Sequence, residues 1–495
     1  MLTNVFVGGK AGQGPNVLAN IVSDILVRNG YYVFLSREYE SVIRGGHNYN
    51  ILTFSDSKVY SNENKADILI CLDENTEIIH KSRIKKDTLV LRNRENKENI
   101  YFAGKLLRIL GLDFKFLETE LKKLRNFDAN LKNAKEGFES QDSKFKLKVL
   151  KNKDNYFMNG SQSVKEGALK AGLDVYYAYP MTPATSLLTE LAGRQIENNI
   201  LTLELENEIA VMNAALGSSI TGAKSMIGTS GGGFDLMTEA LSLSGMAEIP
   251  IVAYLCQRPG PSTGVATKTS QGDLNLALYS GHGEFSRVVV SPGDPIEGAE
   301  LTSALFYFSQ KFKIPCIILS DKHLAESFYT LNGKANILKS EKSAFLKRYN
   351  SYEHLETGEA TEDPEIVGKN AERRAMKANE IKRGADKLET FKLYGKGKTL
   401  IVGWGSTKGA ILDAIKNLNA KFLQILYLEP FSDRIINELK KAEKIIIIEN
   451  NATSQLSSLI AAKTGIFIKN KILKYDGLPF YSDELREEIK KKLGK

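Results

Sequence analysis

Apolar residues open the chain as a short block and then change rhythm. Val5-Phe6-Val7 run straight into Gly8-Gly9-Lys10-Ala11-Gly12-Gln13-Gly14, and an amphipathic stretch follows from Pro15 to Arg28, with Gly30 behind it. The pattern predicts strand, glycine-rich turn and helix, with proline just inside the helix start and glycine just past its end. A second strand is predicted at 31–36, and the apolar runs at 68–72 and 88–91 read as buried strands. Strands alternating with helices predict a parallel, doubly wound sheet. The polar, charged stretch at 143–154 reads as a linker. Beyond it, Ser163 and Glu166 have the spacing of a capping box, for a helix stopping near Gly172. A strand at 175–178 and strand-like runs at 251–255, 288–290 and 315–320 continue the α/β pattern. Charge dominates from 336 to 398, where 364–392 reads as an exposed helix laced with salt bridges. The α/β pattern returns with strands at 400–403, 422–428 and 445–449 and a helix at 406–418. The expected organisation is a multi-domain α/β chain: domains at 1–142, 157–335 and 399–495, a linker at 143–156 and a charged connector at 336–398.

Composition narrows the class. A chain of 495 residues fits about three domains. With 42% hydrophobic and 25% charged residues it has the balance of a soluble globular protein. No signal-like segment opens it, and no apolar run approaches the roughly 18–20 residues that span a bilayer, so a cytoplasmic location without membrane association is expected. Cys71, Cys256 and Cys316 lie far apart in apolar stretches and are expected to be free and buried. Without a Cys-x-x-Cys pair the chain cannot by itself hold a four-cysteine iron–sulfur cluster. His47, His80, His282, His323 and His354 show no zinc spacing, and no metal site is expected. The net charge of +8 is interleaved with acidic residues, which argues against nucleic-acid binding. A mild positive field suits an acidic redox partner or a phosphorylated ligand.

Four positions carry candidate chemistry. The glycine-rich turn could let backbone approach a phosphate at a helix start, or be only a tight turn. Thr182 before Pro183 has the form of a helix N-cap, at the carboxyl end of a strand where open α/β sheets place ligands. Glu204 and Glu206 would share one face of a strand, as a solvated pair or as a site. Arg258 offers a planar, bidentate grip on a carboxylate, or a structural ion pair.

Four blocks taken together resemble one family. Tyr179-Pro180-Met181-Thr182-Pro183-Ala184-Thr185, Leu203-Glu204-Leu205-Glu206-Asn207-Glu208, Thr229-Ser230-Gly231-Gly232-Gly233-Phe234 and Arg258-Pro259-Gly260-Pro261-Ser262-Thr263-Gly264 resemble the thiamine-pyrimidine domain of the 2-oxoacid:ferredoxin oxidoreductases. The resemblance implies that Glu206 activates thiamine by hydrogen-bonding its pyrimidine ring from a buried setting. It implies that Thr182 and Arg258 meet the 2-oxoacid, with Thr263 and Lys268 as further substrate contacts and Tyr179 and Pro180 beside the cofactor. Thr267 and Gln271 continue the loop, and His282 in Gly281-His282-Gly283 also matches, with a structural role as the alternative. The turn with Gly12 and Gly14, followed by Arg44-Gly45-Gly46, resembles the family's γ domain and implies subunit docking with a part in contacting coenzyme A. Gly403-Trp404-Gly405-Ser406 and Glu449-Asn450-Asn451-Ala452 resemble a transketolase C-terminal-type domain.

Departures and absences sharpen this expectation. The family pattern differs at Met181, Ala184, Thr185, Asn207, Gly232 and Ala266, while Thr182, Glu206 and Arg258 are kept. The chain has no Gly-Asp-Gly segment to hold a diphosphate through Mg²⁺. The resemblance therefore implies a fused γ/α subunit that carries half of a thiamine diphosphate site. A β subunit would bring diphosphate, Mg²⁺ and a [4Fe–4S] cluster, in a hetero-oligomer such as (αβ)₂. The implied reaction is CoA-dependent oxidative decarboxylation of a 2-oxoacid, with electrons passed to ferredoxin. Alternatives are an aryl-pyruvate enzyme, a non-catalytic scaffold subunit and, third, a nicotinamide-dependent dehydrogenase, for which Glu38 beside Arg37 is a poor ribose partner.

Overall fold

The opening apolar block becomes the nine-residue strand Leu2–Lys10, buried along all but its ends. In the computed structural model, residues 2–40, 46–152, 154–343 and 347–494 are described. They fall into two units. The first holds the described residues up to Met158 together with Ser327–Gly333 and Tyr481–Glu487. Its sheet runs Ile84–Arg92, Ala66–Cys71, Leu2–Lys10, His47–Ser55, Tyr32–Glu38, Phe328–Leu331 and Tyr156–Asn159. The first three strands are parallel, but His47–Ser55 is antiparallel to both of its neighbours. This corrects the expected parallel sheet. Only residues 39–46 join Tyr32–Glu38 to His47–Ser55, too few for the crossover that parallel pairing needs. Helix Pro15–Arg28 forms at the expected bounds and buries Leu18, Val22, Ile25 and Leu26.

The expected linker is part of this unit. Phe145, Leu147 and Leu150 pack on its core. The Phe145 and Leu147 N–H groups donate to the carbonyls of Ile109 and Leu110 at 2.8 and 3.1 Å. Alternating lysines at 144, 146 and 148 hide these apolar positions in the sequence. Phe328–Leu331, expected with the second domain, instead pairs antiparallel with Tyr32–Glu38. Tyr481 is buried with Phe6, Tyr49 and Ile51, and its hydroxyl accepts from Arg83 Nη2 at 3.1 Å.

The second unit contains Asn159–Glu326, Lys334–Phe480 and the described residues from Glu488 onward. One sheet is ordered Tyr427–Glu429, Val288–Val290, Pro315–Asp321, Ile251–Gln257, Ser225–Thr229, Val175–Ala178 and Leu201–Glu204. All pairings are parallel except that of the short edge strand Tyr427–Glu429. The all-apolar runs 251–256 and 316–319 are buried on both faces, as a parallel sheet demands. A second sheet is ordered Phe391–Lys396, Ala420–Ile425, Thr399–Trp404, Lys444–Glu449 and Asn470–Leu473. The run read as one strand at 422–428 is thus divided between two sheets. The described residues of the expected connector, and those of the third domain outside Tyr481–Glu487, are built into the same unit as most of the second.

Two local expectations shift. The capping box falls at Asn159 and Gln162, and Ser163 lies inside helix Gly160–Lys170 with its hydroxyl donating to Gly160 O at 2.7 Å. The charged helix is Pro364–Ala385, capped by Asp363, and it ends early because residues from Phe391 pair with Ala420–Ile425.

That helix is held by Glu248, which accepts from Arg373 Nη1 at 2.9 and 3.0 Å and from Lys377 Nζ. Burial pushes the Glu248 carboxyl up, but Lys377 and Arg373 outweigh it and bring it down to about 2. A depressed carboxylate stabilises the fold above its unfolded value and loses that contribution as pH falls toward the folded one. Glu248→Gln is expected to lower stability by about 2 kcal/mol at pH 7. The gap to wild type should narrow by pH 4, as thermal unfolding at the two pH values would show.

Candidate active site

Val175–Ala178, Leu201–Glu204, Ser225–Thr229 and Ile251–Gln257 are neighbouring parallel strands, and each is followed by one of the four motif blocks. The carboxyl edge of such a sheet is where loops and helix starts converge on a ligand. After Ala178 the chain passes through exposed Tyr179 and Pro180 to a cis Thr182–Pro183 bond. Thr182 does not cap the next helix. Helix Thr185–Ala192 begins later, behind Ala184, and the Thr185 N–H donates to Met181 O at 3.1 Å. The Thr182 carbonyl instead accepts from Arg258 Nη1 at 2.8 Å, which joins two expected site residues 76 positions apart.

The acidic block divides differently from its sequence reading. Strand Leu201–Glu204 ends before Leu205, and both Glu204 and Glu206 are exposed. Asn207 caps helix Glu208–Ile220, its Oδ1 accepting from the Ala210 N–H at 2.9 Å. Aspartate at this position would cap equally well, so this departure from the family pattern leaves the helix start intact. Glu208, the first helical residue, is only 4% exposed. The burial expected of Glu206 is therefore met two residues later.

Around Glu208 lie polar groups that the chain itself leaves unsatisfied. Glu208 Oε1, Ser230 Oγ, Arg258 Nε and Asp273 Oδ2 are buried without hydrogen-bond partners. Buried polar atoms are normally paired, so four such atoms on one set of strand ends mark a place built for something else. Two glycines make the room. A Cβ on Gly231 would stand 2.7 Å from Asp273 Oδ2, and one on Gly233 would stand 2.6 Å from Glu208 Oε1. Gly232 between them meets nothing closer than Ser262 O at 3.8 Å. Burial lowers the Arg258 guanidinium's hold on its proton, against the fields of Asp273 and Glu208. Burial, reinforced by Asp235 and opposed by Arg258, lifts the Asp273 carboxyl to about 6. Sequence reading missed Glu208, Ser230 and Asp273. The available signals were the cap at Asn207, which fixes Glu208 at a helix start, and the sequence Gln271-Gly272-Asp273 before an apolar helix.

The remaining candidates are placed as follows. Thr263 is exposed on a loop shaped by a cis Gly260–Pro261 bond and by Gly264, whose φ of 52° and contact with Pro259 O leave no space for a side chain. Lys268 is half-buried, and Thr267 is buried. Gln271 donates to Trp404 O at 2.9 Å and accepts from the Asn450 N–H at 2.9 Å, so it is structural. His282 lines a separate cavity of about 910 Å³ with Glu239, Tyr279, Arg287 and Arg374. The arginines there are already committed, Arg287 to Ser280 and Ala277 and Arg374 to Glu353. In the first unit, Gly12 has open space around it, while Gly14 is closed over by Asn99. Gly46 O accepts from the Ala11 N–H at 3.3 Å, and Arg44 and Gly45 lie outside the described residues. The three cysteines are free and buried. Among the described residues no group of three or more His, Cys, Asp and Glu side chains could hold a metal ion, and no helix is long and apolar enough to cross a membrane.

Comparison with known proteins gives a consistent pattern. The family model described as "Pyruvate flavodoxin/ferredoxin oxidoreductase, thiamine diP-bdg" matches residues 166–392, and that for pyruvate ferredoxin/flavodoxin oxidoreductase matches 4–140. A 2-oxoacid:ferredoxin oxidoreductase subunit alpha of a Sulfolobus species is 28% identical over 98% of this chain and 96% of its own length. The 2-oxoglutarate synthase subunit KorA of Archaeoglobus fulgidus is 31% identical over 60% of this chain and 88% of its own. The solved structure of 2-oxoglutarate:ferredoxin oxidoreductase from Magnetococcus marinus, with 2-oxoglutarate, coenzyme A and succinyl-CoA bound, matches at a TM-score of 0.89 and 25% identity, covering 99% of each chain.

The glycines give a direct test of the cradle. Gly232→Ala should leave thermal stability within about 1 kcal/mol of wild type, since alanine favours the helix and has room. Gly231→Ala and Gly233→Ala should each lose about 1–3 kcal/mol through overpacking against a buried carboxylate.

Proposed function

Because the chain belongs to the 2-oxoacid:ferredoxin oxidoreductase family, we propose that it is the catalytic γ/α-type subunit of such an enzyme. It converts a 2-oxoacid and coenzyme A to acyl-CoA and CO₂ and passes electrons to ferredoxin. The observation that carries this reading is the set of buried, unpartnered atoms at the sheet's carboxyl edge: Glu208 Oε1, Ser230 Oγ, Arg258 Nε and Asp273 Oδ2. A protein that only docked partners would have no need to leave them unpaired.

The residues fit a thiamine pyrimidine, and we assign its carboxylate partner to Glu208, not to Glu206. Only Glu208 is buried, and its unpartnered oxygen lies so close to Gly233 that a Cβ there would stand 2.6 Å from it. When bound, thiamine diphosphate supplies the nucleophilic carbon and the electron sink for decarboxylation. The chain's own part is to hold a ring proton at Glu208 Oε1 and to orient the substrate carboxylate at Arg258. The Thr182 carbonyl fixes one arm of the Arg258 guanidinium. Thr263 and Lys268, on the loop after Arg258, are assigned to the remainder of the substrate.

The other half of the site belongs to a partner. The sequence has no Gly-Asp-Gly segment, so diphosphate, Mg²⁺ and the [4Fe–4S] cluster are assigned to a β subunit in a cytoplasmic hetero-oligomer. Exposed apolar side chains support such a cover: Tyr179, Leu203, Ile209, Leu236 and Val265 all lie on or just after these strands. Gly12 and the Arg44-Gly45-Gly46 segment are proposed as coenzyme A or subunit contacts, supported by the open space at Gly12.

The test is viologen reduction by the anaerobically purified complex, dependent on CoA and a 2-oxoacid, across a substrate panel. Glu208→Gln should lower kcat by at least about 100-fold, while Glu206→Gln should stay within about fivefold of wild type. The reverse order would return the role to Glu206. A clean complex that reduces viologen with no 2-oxoacid would point to a scaffold.

A further inference from the structure

Asp273 occupies the N-cap position of helix Leu274–Tyr279 yet makes no side-chain cap bond. Aspartate in that position normally accepts a backbone N–H of its own helix. Here the carboxyl is turned instead beneath Gly231, where a Cβ would stand 2.7 Å from Oδ2 and 3.0 Å from Oδ1. Its backbone is anchored to the strand that carries Arg258: the Asp273 N–H donates to Gln257 Oε1 at 2.9 Å, and Gln257 Nε2 donates to Ser320 O at 3.1 Å. Gln257 is fully buried and immediately precedes Arg258. Arg258 Nε and Asp273 Oδ2 are both buried and both lack partners.

The charges facing Asp273 come from two elements, Asp235 on helix Gly231–Leu236 and Arg258 at the end of strand Ile251–Gln257. Glu208, at the start of helix Glu208–Ile220, acts on Arg258 in turn. One guanidinium thus sits in the field of two carboxylates before any substrate arrives. A third anion would be repelled unless one of the three carboxylates is neutralised. Asp273 is the group the surroundings prepare for this. Burial and Asp235 both favour its neutral form, and a proton on the unpartnered Oδ2 turns an acceptor into a donor.

We propose that Asp273 is a positioning residue that takes up a proton as the 2-oxoacid carboxylate settles on Arg258, so that substrate binding and protonation of this side chain are one event. The inference rests on the reading of Arg258 as the carboxylate grip. The proton comes from solvent and returns to it when the carboxylate leaves as CO₂, so no further reactant is needed. With the empty-site carboxyl at about 6, affinity for the 2-oxoacid should weaken toward tenfold per pH unit above that value. The substrate carboxylate itself is ionised throughout.

The experiment uses the complex with its partner subunit. Binding of oxamate or N-oxalylglycine, amide isosteres of pyruvate and 2-oxoglutarate, is measured by calorimetry at pH 7.5 in two buffers of different ionisation enthalpy. The 2-oxoacid KM is followed from pH 6 to 8 beside the CoA KM. Wild type should take up close to one proton and show a 2-oxoacid KM that rises with pH while the CoA KM does not. Asp273→Asn should abolish the uptake and flatten the KM profile, and Asp273→Glu should restore both in part. Arg258→Gln should weaken the analogue at least about tenfold. Unchanged analogue affinity in Arg258→Gln would overturn the reading of Arg258 and this inference with it. A normal loss there, with proton uptake persisting in Asp273→Asn, would overturn this inference alone.

Discussion

Lys408 is buried between two carboxylates, and the second unit is organised around that fact. Its Nζ donates to Glu297 Oε1 at 2.5 Å and to Asp294. Glu297 Oε2 accepts from Gln424 Nε2 at 2.6 Å and from the Gly293 N–H at 2.8 Å, while Lys392 adds a second cation at 3.1 Å. Burial opposes the charge on Lys408, but Asp294 and Glu297 outweigh it and hold the ammonium well above its usual range. Each member is costly to bury alone and tolerable only with the others in place. Asp294 caps helix Pro295–Phe312 and Glu297 stands in its first turn, Lys408 lies in the first turn of helix Thr407–Ala414, and Lys392 and Gln424 lie on paired strands of the second sheet. The network therefore ties the two sheets of the unit together through charges that no other arrangement satisfies.

The seam it closes also positions the site. Gln271 bonds to the backbone of Trp404 and Asn450 on the far side of that seam, and Asp273 follows two residues later. Arg258 is fixed from two directions, by the Thr182 carbonyl and by its place behind buried Gln257. Arg258 and Asp273 are thus each held by hydrogen bonds to neighbouring chain segments. This is how a scaffold keeps unsatisfied atoms from collapsing onto one another. Gly231 and Gly233 serve the same end, because any larger residue would fill the space that the Glu208 and Asp273 carboxylates face.

The proposed site is open to a partner surface in a physical sense. The unsatisfied atoms at the sheet's carboxyl edge are hydrogen-bonding groups and charges: Glu208 Oε1, Ser230 Oγ, Arg258 Nε and Asp273 Oδ2. The apolar side chains on and after the same strands are left in water. Both features point to completion by a second surface, which would dry the site and strengthen each interaction inside it.

Much of this was legible in the sequence, and the reasons are local. Strand Val175–Ala178 and helix Pro15–Arg28 were readable to the residue because apolar spacing, proline and glycine act over one or two turns of chain. Thr182 and Arg258 were singled out from motifs that follow neighbouring strands, and the structure joins them by a hydrogen bond. What the sequence could not give was partnership across long separations. It could not show that Phe328–Leu331 and Tyr481 belong with the first unit, or that Phe145, Leu147 and Leu150 pack on that unit's core. Nor could it show that Glu208, and not Glu206, is the buried carboxyl. By itself the sequence determined the local elements, the order of the motif blocks and the absence of a Gly-Asp-Gly triplet. Only the tertiary structure decided which of several acidic residues is buried with an unpartnered oxygen, because burial and the lack of a partner depend on every element packed around a side chain.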